Sequence, residues 1–208
     1  MAKLARSDQW ISSGAIKYRV LGSSQNPAGL EFNVDYARAP VPIHFYVSDY
    51  VFVLEDQSQV MLTFGKLDRP STDRLRTKLE IYFNPYMFVR QLWATTSEFR
   101  PVLRKYVQDR QLTPPHWDAL LESPKVQTFQ ANQALMMLTE GESLVDFFYI
   151  SPKDIYYKPR VGEKIDLEPL VRVILAPELL ASFLDSSEPF AQRLVAKYGE
   201  RHENLESK

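Results

Sequence analysis

The chain contains one structural unit twice, and this duplication restricts its architecture more than any other feature. Residues 78–92 (KLEIYFNPYMFVRQL) and 170–184 (LVRVILAPELLASFL) each read as a strand running into a proline-started helix. With Pro85 laid on Pro177, apolar meets apolar at Leu79/Val171, Ile81/Val173, Tyr82/Ile174, Phe83/Leu175, Met87/Leu179, Phe88/Leu180 and Leu92/Leu184. Upstream, residues 50–64 (YVFVLEDQSQVMLTF) match residues 134–148 (ALMMLTEGESLVDFF) at a slightly different offset, and the change of offset falls in a loop. Solenoid repeats run about 20–50 residues, so a unit this long reads as a duplicated domain. The expected fold is α+β, with two antiparallel hairpin-strand-helix repeats related by a pseudo-twofold axis and a helical insert between them.

The boundaries follow from changes of pattern along the chain. Residues 1–30 are polar and glycine-containing, with AIKYRVL as their one strand-like piece, and read as an extended N-terminal arm. The first repeat spans 31–93. In it LEFNVDY alternates with period two, Pro40 and Pro42 interrupt, and IHFYVSDYVFVLE resumes as a long strand. Proline gives no N–H to a ladder, which places both at a strand end or sheet edge. Asn84 is a good N-cap and Pro85 suits the first helical position, whereas the second copy has Ala176 there and Glu178 in its first turn.

The insert, 94–125, reads as SEFRPVLRKYVQDRQ followed by PPHWDALLES, with Ser97 and Thr113 as candidate caps. The second repeat spans 126–198, its Leu179, Leu180, Phe183 and Leu184 falling on one helical face. The loop 151–169 is longer than its counterpart and holds DIYYKPRVGEKID, a candidate extra strand. Residues 199–208 are a charged tail.

Composition removes several classes of chemistry. The 208 residues include no cysteine, which excludes disulfides, thiolate zinc sites and cysteine nucleophiles. No apolar run approaches the ~18 residues that span a bilayer, and MAKLARSDQWISSG does not resemble a secretion signal, so a cytoplasmic protein without membrane association is expected. The formal net charge is -1, but residues 66–110 are net +5 and residues 111–208 net -5. Such opposite-signed segments can attract one another within or between chains.

His44, His116 and His202 have no second histidine or close carboxylate at ligand spacing, and no metal is expected. The seven glycines form no dinucleotide or phosphate-loop pattern, and GxSxG, HExxH and SxxK are absent, so neither a cofactor nor an enzymatic activity is expected. Asp146, inside SLVDFFYI, is the one carboxylate with a catalytic reading, as a buried general acid; the ordinary reading is a paired or solvated side chain.

Two binding readings remain. The clusters FYVSDYVF, IYFNPYMF and FFYISPKDIYY place aromatics at both strand parities, more than one sheet face needs, which favours a second covering surface. Tyr82, Tyr86, Trp93, Tyr156 and Tyr157 are the candidate partner-binding residues, for a protein partner or for another copy of the chain in a homo-oligomer. Alternatively, Arg69, Arg74, Arg76 and Lys78, with Lys66 and with Arg100, Arg104 and Lys105 of the insert, are candidate phosphate contacts of a nucleic-acid-associated factor.

The string ANQALMMLTEGESLVDFFYISP, then VRVILAPELLASFL and a tail with KYGE, resembles a family of small bacterial proteins of about one such unit, for which no function is established. Asn132, Asp146, Phe147 and Pro177 sit at the matching places, while the first copy has Ser48 or Asp49 for the Asn and Leu62-Thr63 for Asp-Phe. The resemblance implies a fold and transfers no catalytic residue. A more distant likeness, hairpins followed by a helix, is to the secretion chaperone SecB. The functional expectation is a non-enzymatic adaptor, assembly component or chaperone-like factor acting through sheet faces or edges.

Overall fold

The computed structural model describes residues 10–23, 26–56, 58–67, 74–115, 120–122, 126–154, 158 and 163–198. The fold is α+β, and the chain divides into two compact units, Met1–Val41 with Phe148–Pro169 and Pro42–Phe147 with Leu170–Lys208.

In the first unit β1 (Ile11–Ser13), β2 (Ile16–Ser23) and β3 (Asn26–Val34) form an antiparallel sheet in that order. Residues 1–30 read from sequence as an arm with one strand; the described part of that range instead supplies β1, β2 and the start of β3 to a three-stranded sheet. The LEFNVDY segment, assigned to the first repeat, instead folds back on AIKYRVL, with Ile16 opposite Val34 and Tyr18 opposite Phe32. Ile16, Tyr18 and Val34 are buried as a result. Gly14, at φ +63°, supplies the left-handed residue of the β1–β2 turn. The Ile165 N–H donates to Ser13 Oγ at 2.8 Å, tying the later segment of this unit to β1.

The second unit is built on two sheets. In one, β5 (Tyr50–Asp56), β6 (Gln59–Leu67) and β7 (Arg74–Phe83) form an antiparallel meander, with β8 (Leu120–Glu122) and β9 (Gln127–Gln130) both pairing parallel to β7. In the other the order is β10 (Gln133–Leu138), β11 (Ser143–Tyr149), β12 (Glu168–Leu175) and β4 (Phe45–Ser48), the last parallel to β12. The chain passes from one sheet to the other at Asp49, between β4 and β5, and back at Ala131–Asn132, between β9 and β10. The strand ahead of each hairpin therefore pairs with the third strand of the other sheet: β4 with β12, and β9 with β7. The Tyr46 hydroxyl on β4 donates to Gln127 Oε1 on β9.

The helices close this core. Asn84 caps the first turn as its composition suggests, accepting from the Tyr86 N–H at 3.0 Å. Helix α1 (Pro85–Met87), a π-helical turn (Phe88–Trp93) and α2 (Ala94–Asp109) then follow without a break. Ser97 caps nothing, since its hydroxyl donates to the Ala94 carbonyl within the rod. Gln111 ends the run at φ +54°, where the Leu112 N–H returns to the Val107 carbonyl. Helical character expected over 114–123 gives way to β8 at Leu120–Glu122, because pairing with Arg74–Arg76 overrides local propensity; 116–119 lie outside the described residues.

Helices α3 (Pro177–Ser186) and α4 (Glu188–Tyr198) complete the second unit; of the expected helical face Leu180, Phe183 and Leu184 are buried and Leu179 is half-buried. Edge-to-face rings run Phe64–Phe147–Phe83–Phe88–Phe190 through both sheets and the helices, with centroids 5.8–6.2 Å apart. Among the described residues no helix is long and apolar enough to cross a membrane.

Candidate functional site

The most unusual surface of the second unit is the ribbon formed by β4 and β5. Ile43, Phe45 and Val47 alternate on one side of the strand and its approach, and keep 82, 67 and 48 % of their surface exposed. After the bend at Asp49 the parity changes, and on β5 Phe52 and Leu54 are exposed at 44 and 49 %. Single exposed apolar residues are ordinary on a protein surface; several at alternate positions of one strand are less so.

The bend is fixed by local chemistry. Gly65 lies opposite Tyr50, its N–H donating to Ser48 Oγ at 2.9 Å while its carbonyl accepts from the Asp49 N–H at 2.8 Å. The Ser48 hydroxyl in turn donates to the Tyr50 carbonyl at 2.7 Å. Asp49 Oδ2 accepts from the Leu67 N–H at 3.1 Å, and Lys66 Nζ stands 3.6 Å from its Oδ1. A Cβ at Gly65 would run into the Arg76 carbonyl oxygen and the Tyr50 hydroxyl, so this position requires glycine for close approach. The Tyr50 ring passes over it to donate to Thr77 Oγ1 at 3.0 Å. Burial pushes the Tyr50 phenol above its usual pKa, and the hydrogen bond to Thr77 offsets part of that rise.

Beyond the bend β4 diverges from β6 and opens a cleft of about 380 Å³, lined by Phe45–Ser48 on one side and by Phe64, Gly65, Lys66, Lys78 and Leu79 on the other. Its lining surface is mostly apolar, and Lys66 and Lys78 are among the residues that form it. Lys66 is held near Asp49, whereas the exposed Lys78 stands at the irregularity where β6 and β7 shift register between Phe64 and Gly65.

Asp146 reads differently once its neighbours are visible. It is buried on β11, and Arg172 of β12 grips it bidentately, Nε to Oδ1 at 2.6 Å and Nη2 to Oδ2 at 2.7 Å. The Asp146 hydrogen bond holds the Arg172 guanidinium still more firmly protonated than usual. Both carboxylate oxygens are thus engaged, as in a structural ion pair. Among the described residues there is no group of three histidine, aspartate or glutamate side chains able to hold a metal ion. His44 is exposed, and its carbonyl accepts from the Arg172 N–H; His116 and His202 lie outside the described residues.

The other residues singled out in the sequence are dispersed. Tyr82 is half-buried on β7 and donates to Glu80 at 2.8 Å; Tyr86 sits in the first helical turn. Trp93 packs against the main core beneath Arg100, whose guanidinium carbon lies 4.5 Å from its ring centre. Tyr156, Tyr157 and Arg69 lie outside the described residues.

Of the cations, Arg74, Arg76 and Lys78 follow one another along β7, with Lys66 opposite Arg76. Those of α2 face acids: Arg100 with Glu188 at 3.1 Å, Arg104 with Asp185 at 2.6 Å and Lys105 with Asp109 at 2.8 Å. Sequence reading did not single out Ile43, Phe45, Val47, Phe52 or Leu54 as site residues. The signal was the double parity of FYVSDYVF, but assigning each side chain to core or surface required the bend at Asp49.

No protein-family model matches the chain, and no curated protein matches it either.

Proposed function

We propose that the chain is a non-enzymatic, cytoplasmic protein-binding module, an adaptor, assembly component or chaperone-like factor, that self-associates and engages partners through the β4–β5 ribbon. The observation that carries this reading is the exposure of Ile43, Phe45, Val47, Phe52 and Leu54. Two hairpin-strand-helix repeats about a pseudo-twofold axis provide its framework. That arrangement is supported by the matching orders β5-β6-β7 and β10-β11-β12, by the reciprocal pairing of β4 with β12 and β9 with β7, and by Ile81 and Val173, both buried on third strands.

Self-association is assigned to the outer face of β5, where Phe52 and Leu54 are exposed on an edge strand. Light scattering on the purified chain should give a stable oligomer that Phe52→Ser/Leu54→Ser reduces to monomer. A monomeric wild type at tens of micromolar, about the range where weak interfaces of standard size assemble, would count against the reading.

A second reading, a nucleic-acid-associated accessory factor, is favoured by one observation, the run of Lys66, Arg74, Arg76 and Lys78 at one end of the β6–β7 pair. It requires oligonucleotide binding that weakens steeply with salt and is lost in Arg74→Ala/Arg76→Ala.

A further inference from the structure

The geometry points to the outer edge of β4 as the seat of an added strand, supplied by a partner protein segment in which apolar and acidic residues alternate. This rests on the protein-binding reading and specifies its ligand. Three observations converge on it.

The first is backbone pairing. Arg172 lies opposite Phe45, and its N–H donates to the His44 carbonyl, so in this parallel ladder β4 turns the backbone groups of His44, Tyr46 and Ser48 toward β12. The N–H and C=O groups of Phe45 and Val47 point the other way, away from β12, and among the described residues β4 is the last strand of its sheet. An edge of this kind is a template for strand addition.

A comparison inside the molecule supplies the second. β9 occupies the corresponding place beside β7: its Phe129 packs against the core as Tyr46 does on β4, while its outward residues, Thr128 and Gln130, are polar and exposed. Where β9 has these, β4 has Phe45 and Val47. Similar positions in a parallel pair thus carry a solvated surface in one sheet and an apolar one in the other, so strand position alone does not demand apolar residues on β4.

Charge selects among occupants. Lys66 and Lys78 line the same cleft as β4, and among the described residues no carboxylate lines it. A second copy pairing β4 with β4 would bring the Lys78 side chains of both copies to one seam, where like charges repel, while each Lys66 is held 3.6 Å from Asp49. A strand carrying glutamate or aspartate at alternate positions would meet them with opposite charge and set its apolar side chains on Phe45 and Val47.

The test uses the full chain and a labelled synthetic peptide of about eight residues alternating valine with glutamate, the length of an ordinary strand. Fluorescence anisotropy should show saturable binding that weakens with salt, and little binding of a valine-lysine peptide. Val47→Pro removes an outward N–H on an edge strand, where proline is tolerated. It should weaken binding about tenfold through loss of one interchain hydrogen bond and its alignment, with the circular dichroism spectrum unchanged. Should that variant fail to fold, methylating alternate peptide nitrogens tests the same bond on the wild-type chain and should abolish binding.

Lys78→Glu should reduce affinity about fivefold, the size of a partly exposed ion pair lost and reversed. Absence of saturable peptide binding, equal binding of the methylated peptide, or binding of oligothymidylate in place of the peptide would each overturn the assignment. If the peptide fails while an oligomer sensitive to Phe52→Ser/Leu54→Ser persists, the β4 assignment alone falls; if both fail, so does the reading beneath it.

Discussion

Replacing Arg172 with methionine would strand the charge of Asp146. The Asp146 side chain is only 3 % exposed, and both of its oxygens are held by Arg172 at 2.6 and 2.7 Å. Without the guanidinium the carboxylate loses two charge-assisted donors and its countercharge where water scarcely reaches, a loss of about 3–5 kcal/mol for buried pairs broken from one side. The reverse change, Asp146→Leu, leaves an arginine whose side chain is 22 % exposed and can turn toward water. Its penalty should be smaller, about 1–2 kcal/mol.

The double change Asp146→Leu/Arg172→Met removes both charges at similar volume and should lie within about 1 kcal/mol of the parent. For a chain of this size each kcal/mol moves the melting point by about 2–4 °C. Thermal melts should therefore place Arg172→Met about 10 °C below the parent, Asp146→Leu about 4 °C below, and the double variant close to it. Equal penalties for the two single changes, with the double variant showing their sum, would refute the reasoning, since the two side chains would then be energetically independent.

Two further expectations concern the bend. Gly65→Ala should lower stability by about 2–3 kcal/mol, because the new methyl meets the Arg76 carbonyl and Tyr50 on a strand paired on both sides; an unchanged urea midpoint would contradict this. Tyr50→Phe should cost about 1 kcal/mol at neutral pH through loss of the bond to Thr77. The raised Tyr50 pKa means that the folded state holds this proton more tightly than the unfolded chain, so wild-type stability should fall as pH rises past about 10. The variant should show a shallower alkaline decline. An identical slope would indicate that Tyr50 does not titrate in that window.

Much of the second unit was legible in the chain because its signals are local. Apolar runs bounded by turn residues marked β6, β7, β11 and β12 as strands; Asn84-Pro85 and Ala176-Pro177 marked the helix starts; and Leu179, Leu180, Phe183 and Leu184 marked the inward face of α3, on which Leu179 is only half-buried. Where the reading departed from the structure, nonlocal pairing decided. AIKYRVL was legible as a strand but not as the middle of a sheet, because its partner LEFNVDY fitted the neighbouring repeat as well. PPHWDALLES carries helical composition, yet Leu120–Glu122 pairs with β7. The helical rod joining Pro85 to Asp109 runs through the boundary expected between residues 93 and 94, because the π-helical turn at Phe88–Trp93 carries the chain through without a cap.

By itself the sequence determined which segments bury apolar side chains and where the helices begin, because periodicity and capping act over a few residues. It also removed thiol chemistry outright, since the chain has no cysteine. Only the tertiary structure decided that the chain changes sheets at Asp49, that β4 pairs with β12, and that Asp146 is paired with Arg172. Each of those depends on which distant strand lies alongside, and that choice is made by packing across the whole core, which no short window of sequence contains.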